Sequence, residues 1–207
     1  WGGGSPTSSA SYLYNGTSWT GTGAMPFSNR DVYGGGAGTS TAGLSVGGFI
    51  SPGNYSSVMC EFDGSSWTNI PQTFPSAPKT NTFSTAGIQT ACISAGPGTD
   101  SIEWNGSTWT ATNNLATASS SAVHTGTVSG SVLMAGGPGY KTDIQTWDGT
   151  NWSNSSLSLS TGRSQAAEAG TSTASYIVCG ADGSPDHTTA TEEFNAAVVA
   201  TKTLTTG

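Results

Sequence analysis

Glu103-Trp104-Asn105-Gly106-Ser107-Thr108-Trp109 is the stretch that decides the fold, because the chain repeats it. Asn-Gly between strand-forming residues is a strong short-range hairpin signal, and here it predicts two strand ends joined by a type I′ turn. Such a turn needs a positive φ at both central residues, which Asn tolerates and Gly adopts freely. Related copies lie at 13–19, 61–67 and 146–152, and a degenerate copy lies at 193–199.

The hairpin copies recur with a regular period. Their turns lie at positions 15, 63, 105, 148 and 195, so the spacings are 48, 42, 43 and 47 residues. A short apolar run closed by Gly precedes each hairpin, and a strand of small residues precedes each run, which gives four strands per full repeat. The apolar runs lie at 44–48, 93–97, 133–137 and 177–181, with the tail of another at 1–4, and the small-residue strands are predicted at 30–36, 80–86, 119–125 and 163–169.

Four short antiparallel strands in every ~40–50 residues are typical of the blade of a β-propeller. The small residues of the first strand suit a crowded central channel, and the aromatic residues of the outer hairpin suit the space between neighbouring blades. We therefore predict an all-β propeller of four-stranded antiparallel blades. The predicted interblade aromatics are Tyr14, Trp19, Phe62, Trp67, Trp104, Trp109, Trp147, Trp152 and Phe194.

The repeat argues for one propeller that spans residues 1–207, with about five blades. The C-terminal repeat has all four strands, whereas the N-terminal repeat starts at the end of its second strand, so we expect four complete blades and a partial one. A closed five-bladed ring needs about 15 more residues, either upstream of Trp1 or from another segment, and further upstream repeats would make six or seven blades. The predicted repeats are about 1–28, 29–77, 78–117, 118–161 and 162–207.

Composition excludes several classes of function. Charged residues make up 8% of the chain and the net charge is −7, with five basic residues that form no cluster. Nucleic-acid binding needs a basic patch, so we expect none. No apolar run approaches the length of a membrane span, so we expect no membrane insertion.

The repeat motifs resemble those of Kelch proteins. The resemblance rests on the Gly-Gly that ends the second strand, the aromatic–Asx turn and the Trp that follows it. The wording Glu-Trp-Asn-Gly-Ser-Thr-Trp-Thr at 103–110 resembles the divergent Kelch-like structural proteins of marine phages. Two departures stand out: the fifth copy lacks its turn Gly and Trp, as a capping blade would, and several Gly-Gly pairs are Gly-Pro or Gly-Ala.

Strand alternation places the connections between second and third strands, and between blades, on one face of the ring. The Asx-Gly turns lie on the other face and are short and uniform. Variable loops on a rigid scaffold are the usual place for binding. Tyr, Asn and Asp there suit a sugar or a protein partner, although any one of them can be a plain solvated residue. The candidate ligand-binding residues are Asn54, Tyr55, Asp100, Tyr140, Lys141, Asp186 and His187.

The sequence offers little for catalysis, and we expect no enzyme activity, no cofactor and no metal. His124 is predicted in a first strand as a structural histidine. Cys60, Cys92 and Cys179 each lie in an apolar strand pattern and are predicted to be small buried residues.

The scattered acids also argue against paired acid–base chemistry. Glu61, Glu103 and Glu193 precede turns in different blades, and we expect them to pair with the basic residues at the repeat starts: Arg30, Lys79 and Arg163. Calcium binding at 182–186 is a minor alternative, because that loop offers two carboxylates without a fuller ligand pattern.

The resemblance implies a non-enzymatic structural or adhesion module on a virion surface, such as a tail fibre or capsid-associated propeller. Its expected partners are host-surface polysaccharide or other virion proteins, and its expected location is the virion or the extracellular space. A homo-oligomer within a larger assembly is compatible with this role. The alternatives are a free carbohydrate-binding lectin and, with less support, a Kelch-fold oxidase, which needs a copper site that two scattered histidines do not suggest.

Overall fold

A computed structural model describes residues 8–27, 35–51, 54–75, 83–184 and 187–196, without the side chains of 49–51 and 54. Across these residues the regular structure consists of strands in five antiparallel sheets. The described part contains no helix that is long and apolar enough to cross a membrane.

The first two sheets contain the first six strands of the chain. The first sheet contains β1 (Tyr12–Tyr14) and β2 (Trp19–Gly21), and the second contains β3 (Gly36–Gly38), β4 (Gly43–Ser51), β5 (Asn54–Phe62) and β6 (Trp67–Thr73).

The remaining three sheets follow in chain order. The third contains β7 (Ser84–Ile88), β8 (Ala91–Ala95), β9 (Ser101–Trp104) and β10 (Trp109–Ala111). The fourth contains β11 (Val123–Thr127), β12 (Gly130–Met134), β13 (Asp143–Trp147) and β14 (Trp152–Ser158). The fifth contains β15 (Ala167–Gly170), β16 (Ala174–Val178) and β17 (Thr191–Asn195), and its predicted fourth strand lies outside the described residues.

Each sheet is a meander in which consecutive strands pair, and the sheets are arranged radially. The first strands β3, β7, β11 and β15 contact one another in that order, so they line a common centre. Each of the three hydrophobic clusters joins residues of two adjacent sheets. The predicted all-β propeller of several blades is therefore confirmed.

The outer hairpin differs from the prediction in its turn. Trp104 pairs with Trp109, so four residues lie between the paired positions. Oδ1 of Asn105 accepts hydrogen bonds from the backbone N–H groups of Ser107 and Thr108, at 3.0 and 2.9 Å. Within the turn only Gly106 has a positive φ, 90°, and a Cβ there would lie 3.2 Å from the carbonyl oxygen of Thr90. The predicted type I′ turn is wrong, because the Asx side chain holds a longer loop.

The first strands begin later than predicted. The predicted strands at 119–125 and 163–169 are observed at Val123–Thr127 and Ala167–Gly170. Ser121 and Gln165 take left-handed φ values of 51° and 54°, which interrupt an extended strand. The predicted starts at 30–36 and 80–86 lie partly outside the described residues.

The fourth-strand tryptophans tie each sheet to the one before it. Nε1 of Trp67 donates to Ser11 Oγ at 2.9 Å, Nε1 of Trp109 to Met59 Sδ at 3.1 Å, and Nε1 of Trp152 to Ser101 Oγ at 3.0 Å. Each acceptor lies three residues before the third-strand aromatic of its own sheet. The repeat in sequence is thus a repeat of one interblade contact.

The predicted interblade aromatics fall into two groups. Those of the second to fifth sheets are buried or half-buried, whereas Tyr14 and Trp19 of the first sheet are 51% and 68% exposed. The two exposed rings still contact each other, with centroids 5.2 Å apart. They differ because no described sheet covers their side of the first sheet. The buried or half-buried members are Phe62, Trp67, Trp104, Trp109, Trp147, Trp152 and Phe194.

Two predictions about polar residues need correction. Cys60 and Cys92 are buried, but Cys179 is exposed, because its φ of 56° turns the chain at the end of β16. Arg163 is fully buried and pairs with Glu192 instead of Glu193. Arg30 and Lys79 lie outside the described residues.

The Arg163–Glu192 pair anchors the connection between the fourth and fifth sheets. The guanidinium also donates to the carbonyl oxygens of Thr161, Cys179 and Ala190, at 3.2, 3.3 and 2.7 Å. A buried pair is costly to break on one side only, because the remaining charge stays buried and unpaired. The pair therefore specifies how this connection folds.

Replacing Trp152 by Ala removes a buried ring and its bond to Ser101, so we expect a loss of about 3–5 kcal/mol in the free energy of unfolding. Ile88→Ala is the control, because Ile88 is exposed and surface changes usually stay within about 0.5 kcal/mol. Urea unfolding measures both. Equal losses for the two variants would contradict the interblade role.

Candidate functional site

The loops on one face of the ring form a rim in which neighbouring loops are joined by backbone hydrogen bonds. Residues of the connections between second and third strands pair with residues of the connections between blades, as in the bridges Gly98–Ser119 and Ser164–Ala181. The backbone N–H of Gly136 donates to the carbonyl of Arg163 at 2.8 Å. Side chains on these loops are therefore presented from a fixed backbone.

Tyr140 projects from this rim. Its side chain is 43% exposed, and its hydroxyl makes no hydrogen bond within the described part of the chain. The ring lies against Gly183 of the next blade, since a Cβ placed on Gly183 would come within 3.1 Å of the Tyr140 Cε2. The close approach depends on a glycine at that position, and it holds the ring on the boundary between two loops.

Asp182 and Ser184 are the chain neighbours of Gly183, and the backbone N–H of His187 donates to the carbonyl of Ser184 at 3.4 Å. Oδ1 of Asp182 accepts hydrogen bonds from the backbone N–H and the hydroxyl of Ser184, at 3.0 and 2.5 Å. These bonds, together with the charge of His187, lower the pKa of Asp182. We name Tyr140, Asp182, Ser184 and His187 the rim patch: it combines an exposed aromatic ring, a carboxylate, a hydroxyl and an imidazole.

Backbone conformation sets the rim patch apart from the repeat. Tyr140 and His187 have φ values of 50° and 60°, which side-chain-bearing residues rarely adopt. Other left-handed residues recur at equivalent places, as Ala135 and Cys179 do at the ends of β12 and β16. Tyr140 and His187 have no such counterpart among the described residues. Unusual backbone that is not explained by the scaffold is found more often at functional sites.

The other predicted ligand-binding residues are dispersed. Asn54 and Tyr55 lie in β5 instead of a loop, and Tyr55 is half-buried opposite position 49. The prediction that these two residues lie on a variable loop is wrong, because β4 and β5 remain paired up to Ser51 and Asn54. Asp100 is exposed on the loop of the third sheet. Asp186 lies outside the described residues.

Lys141 has a structural role beside the patch. Its ammonium donates to the carbonyl of Ala118 and lies 3.9 Å from a carboxylate oxygen of Asp143. These contacts hold the side chain against the rim. Of the predicted set, the structure thus brings together Tyr140 and the loop that contains His187.

Sequence reasoning missed a second polar site in the central channel. A cavity of about 240 Å³ is lined by the first strands of four sheets. Glu168 lines this cavity, and its carboxylate accepts a hydrogen bond from the backbone N–H of His124. Register is the signal that could have found it, because Thr85, His124 and Glu168 all lie two residues before the Gly of their first strands.

The two titratable groups of the channel shift in opposite senses. Burial lowers the pKa of His124 to about 4, opposed by its bond to the Ser84 carbonyl. Desolvation raises the pKa of Glu168 to about 7: water reaches its side chain, but the surrounding strands replace much of the bulk solvent. Both ring nitrogens of His124 have partners, the Ser84 carbonyl at 3.1 Å and the Ser131 hydroxyl at 2.8 Å. The predicted structural role of His124 is confirmed.

Metal coordination has no candidate in the described residues, where no group of three or more His, Cys, Asp or Glu side chains converges. Cys60 is buried and its thiol contacts the Asn69 side chain at 3.0 Å. Its pKa is raised to about 11 by burial, so it is a poor nucleophile.

Comparison with known proteins gives the architecture and not the activity. No protein-family model matches the sequence, and no curated protein matches it. Among solved structures the chain is similar to that of YjhT, with a TM-score of 0.68 and 12% identity. The match covers 95% of this chain and 75% of YjhT. At this level of identity the similarity shows a shared β-propeller-like fold.

The opposite pKa shifts in the channel predict compensating pH effects. Between about pH 4 and 6.5 the unfolded His124 takes up a proton that the folded one does not. The free energy of unfolding therefore falls by roughly 3 kcal/mol as the pH falls through this range. Glu168 acts in the opposite sense. Between about pH 4.5 and 7 the folded state retains a proton that the unfolded state has lost, so the free energy of unfolding falls as the pH rises.

We therefore expect Glu168→Gln to lose stability more steeply on acidification than the wild type. His124→Asn should show the reverse slope. Urea unfolding at several pH values measures both profiles, and parallel profiles for the three proteins would contradict the assignment.

Proposed function

We propose that this chain is a non-enzymatic β-propeller module that binds a carbohydrate through the rim patch. The observation that carries the proposal is the exposed Tyr140 ring held on Gly183, whose loop also contains Asp182 and His187. An aromatic ring offers an apolar face for stacking on a sugar, and a few polar groups beside it fix orientation. The carboxylate accepts hydrogen bonds from hydroxyl groups.

The patch is preorganised for such a ligand. The rim backbone is hydrogen-bonded at Lys141, directly after Tyr140: the N–H of Lys141 donates to the Gly136 carbonyl, and the N–H of Arg163 donates to the Lys141 carbonyl, at 2.8 and 3.1 Å. Binding to a fixed loop avoids the entropic cost of ordering it. The low share of charged residues also favours a neutral, hydroxyl-rich ligand over a phosphate-rich one.

Among the described loops, a single site fits better than a set of equivalent sites. The corresponding loop of the third sheet, 96–101, carries no aromatic residue, although both loops contain Gly-Pro-Gly, at 96–98 and at 137–139. Repeated pockets between all blades would favour a free lectin. A single site on one rim favours an adhesion module that acts in many copies on a larger particle.

The wider role follows from the Kelch-like repeat motifs. We propose that the module serves on a virion surface, as a tail fibre or capsid-associated component, and contacts host-surface polysaccharide. A neighbouring virion protein is the second candidate ligand, since the same Tyr and Asp residues suit a protein contact. The extracellular setting accords with the Gly-, Ser- and Thr-rich composition.

Tyr140→Ala removes the stacking surface, so we expect at least about tenfold weaker binding of the recognised glycan, or about 1.4 kcal/mol. Tyr140→Phe keeps the ring and should bind nearly as the wild type does. A glycan array with host-surface polysaccharides identifies the ligand, and calorimetry compares the variants.

Ile88→Ala is the matched control, because Ile88 is an exposed apolar residue beside a turn at the opposite ends of the strands. Equal affinity of Tyr140→Ala and wild type would contradict the site. If the array shows no binding but the chain captures a purified virion protein, the ligand of the rim patch is that protein and not a glycan.

A further inference from the structure

We propose that the groove between the third and fourth sheets binds an aliphatic primary ammonium group, the chemistry that a lysine side chain shares with a free amine. The groove has a volume of about 340 Å³ and lies between the fourth strand of the third sheet and the hairpin turn of the fourth sheet. It shares no residue with the rim patch. The lining includes Glu103, Ala111, Thr112, Asn113, Trp147 and Thr150.

Comparison of two blade boundaries shows how the groove arises. Gly23 and Asn113 both lie four residues after the fourth-strand Trp of their sheets. Between the first and second sheets, the backbone N–H of Gly23 donates directly to the carbonyl of Ser65 in the next hairpin turn, at 3.0 Å. A Cβ on Gly23 would lie 3.1 Å from that oxygen, so a side chain at this position needs a wider boundary.

Asn113 provides that wider boundary, because its side chain replaces the direct backbone contact. Thr150 takes the place of Ser65, two residues after the Asp of its turn. Nδ2 of Asn113 donates to the Thr150 carbonyl and to Asn151 Oδ1, both at 2.9 Å. Both N–H bonds of the amide are thus used, whereas its oxygen accepts no hydrogen bond from a described residue. The bridge therefore holds an acceptor at the groove.

Glu103 contributes a negative charge to the same groove. It pairs with Ile93, so the two side chains lie on one face of the third sheet. Ile93 packs in a cluster with Trp147, which shows that this face meets the fourth sheet. The Glu103 side chain is half-buried, forms no hydrogen bond or ion pair with a described residue, and has its pKa raised by desolvation. A partly desolvated carboxylate without a partner is stabilised by a cation.

These groups select an ammonium ion over other ligands. The Glu103 carboxylate and the Asn113 oxygen are acceptors, and no basic residue is part of the described lining. An ammonium group supplies a positive charge and three donors. A divalent metal needs more oxygen ligands, and no group of three or more His, Cys, Asp or Glu converges in the described ranges. Trp147 and Ala111 offer apolar surface to the methylene stem.

Titration of the 207-residue chain with n-butylamine, followed by nuclear magnetic resonance, tests the proposal. This probe has the four-carbon stem and the ammonium group of lysine. At about pH 8 both the carboxylate and the amine are charged. We expect saturable shifts of the backbone amides of Thr112, Gly149 and Thr150 and of the Asn113 side-chain amide. Butan-1-ol, which lacks the charge, should bind at least about tenfold more weakly. Equal affinity for the two probes would overturn the proposal.

Glu103→Gln removes the charge at nearly constant size and should weaken butylamine binding at least about tenfold. Glu61→Gln is the matched control, because Glu61 precedes the turn of the second sheet at the equivalent position. It should bind as the wild type does. Asn113→Gly introduces the residue of the first boundary and should also weaken binding. Circular dichroism and thermal unfolding check that the variants fold.

Wild-type affinity in Glu103→Gln would overturn the site, and so would saturable shifts centred on Asp182 instead of the groove. Tyr140→Ala should leave butylamine binding unchanged, which separates this site from the rim patch. The peptide acetyl-Gly-Lys-Gly-amide distinguishes the two sources of the ammonium group. Tighter binding of the peptide than of butylamine assigns the groove to a lysine of a protein partner, and tighter binding of butylamine assigns it to a free amine.

Discussion

The second, third and fourth blades are each held to the preceding one by an aromatic pair on the outer hairpin, and the rest of the structure depends on that contact. The pair fills the space over the second strand of the preceding blade, and the indole of the fourth-strand Trp donates a hydrogen bond across the boundary. A Trp side chain buries a large apolar area and needs a partner for its N–H. Both needs are met at the same place, for example by Trp152 over Ile93 with Ser101 as acceptor.

The same contact explains where the variable chemistry lies. The hairpin turns and the turns between first and second strands pack against each other, as Gly106 does near Thr90, which leaves those ends little freedom to vary. The opposite ends of the strands carry connections of different length, bonded into a rim. Tyr140 and His187 occupy that rim in conformations that the repeat does not require. The scaffold is periodic and the proposed site is not.

Much of the fold was predictable because its determinant is local and repeated. The Asx-Gly…Trp string at a near-constant period implies four strands per blade, and the second, third and fourth sheets have that form. The turn type was not predictable from the dipeptide alone: in Asn105-Gly106 the Asn side chain bonds two later N–H groups and lengthens the loop.

Contacts distant in sequence also escaped prediction. The partner of Arg163 is Glu192 and not its neighbour Glu193, since alternate residues of a strand face opposite sides. Glu168 became apparent as a channel residue once the register of four first strands was known. For the site, sequence singled out Tyr140 and His187 but could not show that their loops touch.

Hydrogen exchange of the indole N–H groups, followed by nuclear magnetic resonance, tests the interblade contact most directly. At a concentration where the chain is monomeric, the N–H groups of Trp67, Trp109 and Trp152 should be protected, because each is bonded to the preceding blade. That of Trp19, 68% exposed, should exchange rapidly. Exchange of Trp109 and Trp152 as fast as that of Trp19 would contradict the account.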